Sequence, residues 1–124
     1  MSLEGTHKML RHSCYKWLMY KEDAAAGTYT TNDLPVDVST YYEATFFCSV
    51  TAASADDTLN ITIMTVDPHS GAGVQLAAFT QITATGTFMK QINQNLGKSL
   101  YIVATVAGSA AVAYSFEIGV FLKS

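Results

Sequence analysis

The chain reads as an all-β domain: an antiparallel β-sandwich of seven to eight strands in a jelly-roll-like order, with an immunoglobulin-like sandwich as the alternative. Three observations predict it. Residues 112–123 place Val112, Tyr114, Phe116, Ile118, Val120 and Leu122 at alternate positions, with the small or polar Ala113, Ser115, Glu117, Gly119 and Lys123 on the other face. That period of two lines six apolar side chains along one face of a pleated strand, where a helix would scatter them. Residues 43–52 repeat the pattern, with Ala44, Phe46, Cys48, Val50 and Ala52 on one face and Thr45, Phe47, Ser49 and Thr51 on the other. Turn-forming clusters interrupt such stretches throughout, and no segment carries a capped helical stripe, which together select a sandwich or barrel.

Taken in order, residues 1–8 have no periodicity. Residues 9–21 fit either a helical stripe (Leu10, Cys14, Trp17, Leu18, Lys21) or a strand. The missing cap and the aromatic content favour strand. The run from Ala24 to Gly27 breaks the pattern, so residues 1–23 form a basic, aromatic, partly disordered arm and residues 24–124 the sandwich domain. On this division, removal of residues 1–21 should leave the body folded. Residues 28–32 are threonine-rich, and Pro35, which has no N–H to donate, places that piece at a sheet edge or strand end. After a corner at residues 39–42, the strands over 43–52 and 58–66 (Leu59, Ile61 and Ile63 inward) join through a short polar loop and read as a hairpin. The run Asp67-Pro68-His69-Ser70-Gly71-Ala72-Gly73 is a compact turn. Residues 74–82 form a strand with a bulge, because Phe79 and Ile82 fall out of phase with Val74, Leu76 and Ala78. Strands over 87–92 and 99–106 (Leu100, Ile102, Ala104, Val106 inward) lead into the closing strand.

At 124 residues the chain is one domain's worth, large enough to bury about two thirds of its unfolded surface. Charged residues are 14%, against an average of about 25%. Either a partner covers part of the surface or threonine, serine, asparagine and glutamine solvate it. Lys8, Arg11, Lys16 and Lys21 give residues 1–23 a net charge of +1, whereas residues 24–124 carry −4 and no Lys or Arg between Ala24 and Met89. A body without cations does not neutralise phosphates, so we expect no nucleic-acid partner. The N-terminus lacks an apolar signal-peptide core and no run is long enough to span a bilayer, so neither export signal nor membrane partner is expected. Cys48 lies on an apolar strand face, where a free thiol packs as a small hydrophobe; a disulfide to Cys14 is the alternative, and would suit a secreted effector.

Catalytic chemistry finds little purchase. His7, His12 and Cys14 are metal-ligand types but sit on the arm without defining a geometry. Asp56, Asp57 and Asp67 read as loop acids that solvate turns rather than a calcium loop, and His69 as a turn residue. No nucleophile-elbow, dinucleotide-binding or Walker-type motif occurs. We therefore expect no enzyme, no catalytic residue, no metal and no cofactor. The aromatics say more. Tyr15, Trp17 and Tyr20 on the arm, Tyr41 and Tyr42 at the corner, and Phe47 and Phe121 on outer strand faces exceed what one small interior needs. With Lys8 and Arg11 they are the candidate interface, unless loops or the arm bury them. Exposed aromatic rings serve either protein contact or sugar stacking. Protein contact is favoured, because Phe47 and Phe121 alternate with core residues instead of forming a loop platform. Gly119, beside Phe121, leaves room for another backbone to approach.

From Val36 onward the sequence resembles a family of small structural proteins of tailed phages and prophages. The resemblance rests on the order of Val50-Thr51-Ala52, Thr58-Leu59-Asn60-Ile61-Thr62-Ile63, Asp67-Pro68-His69-Ser70-Gly71 and Ile82-Thr83-Ala84-Thr85-Gly86-Thr87, and on a final hairpin within residues 99–123. It implies a non-enzymatic virion protein: a decoration or cement subunit on the capsid, or a minor head–tail or tail accessory protein. We expect a homo-oligomer, a trimer, bound to the major capsid protein or other virion proteins and assembled in the host bacterial cytoplasm. The alternative class is a carbohydrate-binding or host-adhesion module with Tyr41, Tyr42 or Trp17 as its platform.

Overall fold

The structure, a computed structural model, describes residues 13–109 and 112–124. Among the described residues nine strands follow one another: β1 (Ser13–Ala24), β2 (Gly27–Thr30), β3 (Val36–Asp37), β4 (Glu43–Ala53), β5 (Thr58–Val66), β6 (Gly73–Ala78), β7 (Gly86–Ile92), β8 (Ser99–Ala107) and β9 (Tyr114–Lys123). They form two antiparallel sheets. One has the order β1-β9-β4-β7, the other β2-β8-β5-β6, with β3 also on β8. Both β2 and β3 pair with the same edge of β8, at Val103–Val106 and at Ser99–Leu100 respectively, so they are one edge strand interrupted. Pro35 stands immediately before β3 and supplies the interruption, as its missing N–H requires. Counted together, they bring the order to the eight strands of a jelly-roll-like sandwich.

The hairpin expected between β4 and β5 does not exist. β4 pairs with β9 and β7, and β5 with β8 and β6, so residues 54–57 carry the chain from one sheet to the other. Sheets pack about 10 Å apart, a gap that four residues at about 3.3 Å each can cross, so loop length does not separate the two outcomes. For the same reason β8 and β9 lie in different sheets and the expected C-terminal hairpin is absent. Instead β5 and β6 form a true hairpin, through the turn in which Gly71 (φ 78°) donates to the Asp67 carbonyl at 2.7 Å. The bulge expected in residues 74–82 is present: the pairing slips between Ile63 and Met64, which leaves Leu76 unpaired opposite them. Phe79 and Ile82 are thereby buried.

The core is the set of alternate positions read from the sequence. Phe46, Cys48 and Val50 of β4 and Phe116, Ile118, Val120 and Leu122 of β9 face Leu59, Ile61 and Ile63 of β5 and Leu100, Ile102, Ala104 and Val106 of β8. Residues 13–24 join this body. β1 runs along β9 from the Ser13–Lys123 pair to the Ala24–Tyr114 pair, and Met19 is buried in the core. Removal of residues 1–21 would therefore strip β9 of its edge partner over most of its length and take Met19 out of the core. Two bulges break the β1 register, one that leaves Leu18 unpaired and one at residues 22–23, where Asp23 takes φ 50°. Lys16, opposite buried Val120, is on the inward side of this edge strand; Lys90, opposite buried Phe46, is on the inward side of β7, the other edge.

Both thiols are free. Cys14 is level with Leu122 and Cys48 with Ile118, four residues apart along β9, a span of about 13 Å that no disulfide bridges. Burial pushes the Cys48 thiol up from 9.0 to about 12. Between those values the unfolded chain loses a proton that the folded one keeps. Stability is thus undiminished below about pH 9 and falls by about 1.4 kcal/mol per pH unit above it, towards pH 12. Urea midpoints measured from pH 8 to 11 should show that decline, and Cys48→Ala should flatten it.

Candidate functional site

The two outer faces of the sandwich differ in chemistry. On the β2-β8-β5 sheet the outward positions are Thr28 and Thr30, then Tyr101, Val103 and Thr105, then Asn60, Thr62 and Met64. This is a largely polar surface, with the Thr28 and Thr105 hydroxyls 3.4 Å apart. The β1-β9-β4-β7 sheet is the opposite case. Across its four strands one row reads Tyr15, Phe121, Thr45, Gln91, the next Trp17, Gly119, Phe47, Met89, and the third Tyr20, Glu117, Ser49, Thr87. Tyr15, Trp17, Tyr20, Phe47 and Phe121, singled out in the sequence, thus share one face.

Most of this apolar surface is open to solvent. Trp17 is 65% and Phe121 38% exposed, Tyr15, Tyr20 and Met89 are exposed as well, and Phe47 is half-buried. Trp17 and Tyr20 form a tilted ring pair with centroids 6.5 Å apart. Gly119 has the role of a seat, though not for another backbone: the ring and hydroxyl of Tyr15 occupy the space that a Cβ at 119 would take. The glycine lets an aromatic ring lie across the centre of the sheet. Met89 was missed in the sequence because residues 87–92 alternate weakly; its position opposite Phe47 is set only by the β4–β7 register.

The other candidates lie elsewhere. Tyr41 is half-buried against the core and shares a hydrogen bond with the Cys14 thiol at 3.2 Å, which holds its hydroxyl above the ordinary value. Tyr42 is exposed at the end of the sheet, where its N–H donates to the Lys123 carbonyl at 3.0 Å. Neither belongs to the aromatic rows. Lys8 and Arg11, like His7 and His12, lie outside the described residues.

Asp57 departs from the expectation of a solvated loop acid: it is buried. Its carboxylate accepts from the Ser54 hydroxyl at 2.5 Å and from the Ser109 N–H at 2.9 Å. Its carbonyl accepts from the Tyr114 hydroxyl at 2.6 Å, and burial, then the Asp57 charge, raise the pKa of that phenol. The Ser54 hydroxyl in turn accepts from the Ala113 N–H at 3.0 Å. These bonds tie the loop after β4 to the loop before β9. Asp67 stays a turn residue, its carboxylate held below the usual range by the His69 N–H and Ser70 hydroxyl. Among the described residues no group of three His, Cys, Asp or Glu side chains is placed to hold a metal ion, and no helix is long and apolar enough to cross a membrane.

Beside the aromatic face, at the β1 edge, a groove of about 450 Å³ opens between β1 and residues 30–37. Lys16, Trp17, Thr30, Thr31, Asp33 and Asp37 contribute to its walls. Hydrogen bonds from the Ser39 N–H (2.9 Å) and hydroxyl (2.7 Å) hold the Asp37 carboxyl below its usual value, so it is ionised at neutral pH.

No family model and no curated protein matches the chain. Solved structures resemble it in fold. YomS, derived from the SPBc2 prophage, gives a TM-score of 0.54 over 93% of this chain and 96% of its own, at 10% identity. The VP2 subviral particle of infectious bursal disease virus gives 0.53 over 92% of this chain and 32% of that one, also at 10% identity. A T13 particle of the same virus gives 0.52 over 91% and 31%, at 11% identity. The chain thus spans nearly the whole of YomS and about a third of the bursal-virus chains. At such identity the likeness is one of fold: a β-sandwich of the kind found in prophage and viral particle proteins.

Proposed function

We propose that this is a non-enzymatic virion structural protein, a decoration or cement subunit that binds the outer surface of a phage capsid through the aromatic face of its β1-β9-β4-β7 sheet. The observation that carries the reading is the asymmetry of the sandwich. One outer face exposes Tyr15, Trp17, Tyr20, Phe121 and Met89 together, the other is largely polar. A monomer that stays in solution gains nothing from a contiguous apolar face, whereas a subunit laid on a shell buries it and turns threonines outward. The fold likeness to YomS and to the bursal-virus particle protein is consistent with that role. The subunit acts by adhesion, as a homotrimer in contact with the major capsid protein, and stabilises a shell by RT ln(1 + [L]/Kd), an effect that oligomeric avidity multiplies.

The test is co-sedimentation of the purified protein with capsids that lack it, with light scattering of the free protein alongside. We expect saturable binding, a raised shell-disruption temperature and a solution mass three times 13.4 kDa. Trp17→Ser with Met89→Ser, both exposed, should weaken binding about 30-fold or more, the scale of a lost interface hot spot, while the melting temperature of the subunit stays put. Absence of the protein from purified particles by mass spectrometry would sink the proposal.

A further inference from the structure

We infer that the groove between β1 and residues 30–37 is a binding site for a neutral sugar, with Trp17 at its lip as the stacking platform. The proposed capsid contact concerns the outer sheet face and shares Trp17 with this groove, whose other walls lie off that face, so variants at Asp33 and Asp37 separate the two. Its size falls within the range of small-molecule sites, about 300–1,000 Å³. Its chemistry is that of a polyol site. The Thr31 hydroxyl oxygen accepts from the Ile102 N–H at 3.1 Å and that of Thr30 from the Asn32 N–H at 3.1 Å, which leaves both O–H groups to donate outward. Oδ1 of Asp37 takes both bonds from Ser39 and leaves Oδ2 as an acceptor. Neither Asp33 nor Lys16 has an ion-pair partner among the described residues. Acceptors, donors and one exposed indole therefore meet around a solvent-open cleft. A pyranose ring suits them, its apolar C–H face on the indole and its hydroxyls between carboxylate and threonine.

Other ligand classes fit less well. A phosphorylated ligand would meet two carboxylates against one ammonium. A peptide that added itself as a strand to the open edge of β1 would need an unbroken ladder, and the bulge at Leu18 interrupts it at the groove. Leu18, Leu34, Pro35 and Val36 give the cleft an apolar side, but a lipid chain laid on it would leave Lys16, Asp33 and Asp37 facing hydrocarbon.

Trp17 is the only tryptophan of the chain, so its fluorescence reports on this groove directly. The experiment titrates the intact protein with neutral oligosaccharides terminated in glucose, galactose, mannose or N-acetylglucosamine, and with inorganic phosphate as a control. We expect a saturable change in Trp17 emission with at least one saccharide. The double variant Asp33→Asn, Asp37→Asn should lower that affinity at least 10-fold with the thermal midpoint maintained, and capsid co-sedimentation should be unaffected. No response to any saccharide, a response to phosphate alone, or undiminished affinity in the double variant would each overturn the inference.

Discussion

Phe116→Glu is expected to yield no folded protein, whereas Phe121→Glu, five residues along the same strand, should fold as the parent does and fail to bind capsids. The two phenylalanines occupy opposite sides of β9. Phe116 is 1% exposed, paired with Lys21 on one side and Val50 on the other, in the middle of the core. Truncation of such a ring alone costs about 3–5 kcal/mol, and an unpaired carboxylate in its place adds several more, which together match the whole stability of a typical small domain. Phe121 stands on the outer face between Tyr15 and Thr45. A glutamate there meets water, changes stability by about 1 kcal/mol or less, and sets a charge into the apolar rows beside Tyr15. Circular dichroism with co-sedimentation reads both outcomes. A folded Phe116→Glu, or a Phe121→Glu that still binds, would contradict the assignment of the two faces.

Asp57→Ala should be the most destabilising substitution outside the apolar core. It removes the acceptor for the Ser54 hydroxyl and the Ser109 N–H. Hydrogen bonds to a charged group contribute about 1.5–3 kcal/mol each, so the loss is about 3–6 kcal/mol for the pair. Asp57→Asn retains one acceptor oxygen and should cost roughly half as much, while Tyr114→Phe, which gives up the bond to the Asp57 carbonyl and a longer one to the Ile82 carbonyl at 3.5 Å, should cost about 1 kcal/mol. Urea unfolding with an unchanged m-value would register these as true stability changes. A cost for Asp57→Ala below about 1 kcal/mol would mean that the loops are held together by something other than this carboxylate.

The sequence displays its inward faces well and its neighbours poorly, and the reason is physical. Alternation in β4, β5, β8 and β9 reports which side of a strand is dry, a local property. Which strands lie side by side depends on partners far along the chain, and the four-residue loop after β4 serves a hairpin or a sheet crossing equally. β1 was ambiguous because its bulge at Leu18 breaks the period of two: Lys16 is inward before it and Met19 inward after it, so the apolar positions mimic a helical stripe. The aromatic surplus was legible as a surplus. That Tyr15, Trp17, Tyr20, Phe47 and Phe121 share a face while Tyr41 turns inward needed the register. Asp57 looked like any loop acid, since nothing in a single sequence says that Ser109 and Tyr114 come back to meet it.

The inward lysines at the two rims of the aromatic sheet carry a last consequence. On the proposed decoration role, copies arrayed on a capsid would stand close together in one orientation, the situation in which strands at sheet margins zip into open-ended fibres. Burial of Lys16 or Lys90 beneath a docked neighbour would strand an ammonium in a dry seam, so lateral fusion is unfavourable at both rims. Growth of such a layer would then be dictated by the shell beneath and would halt where its lattice ends.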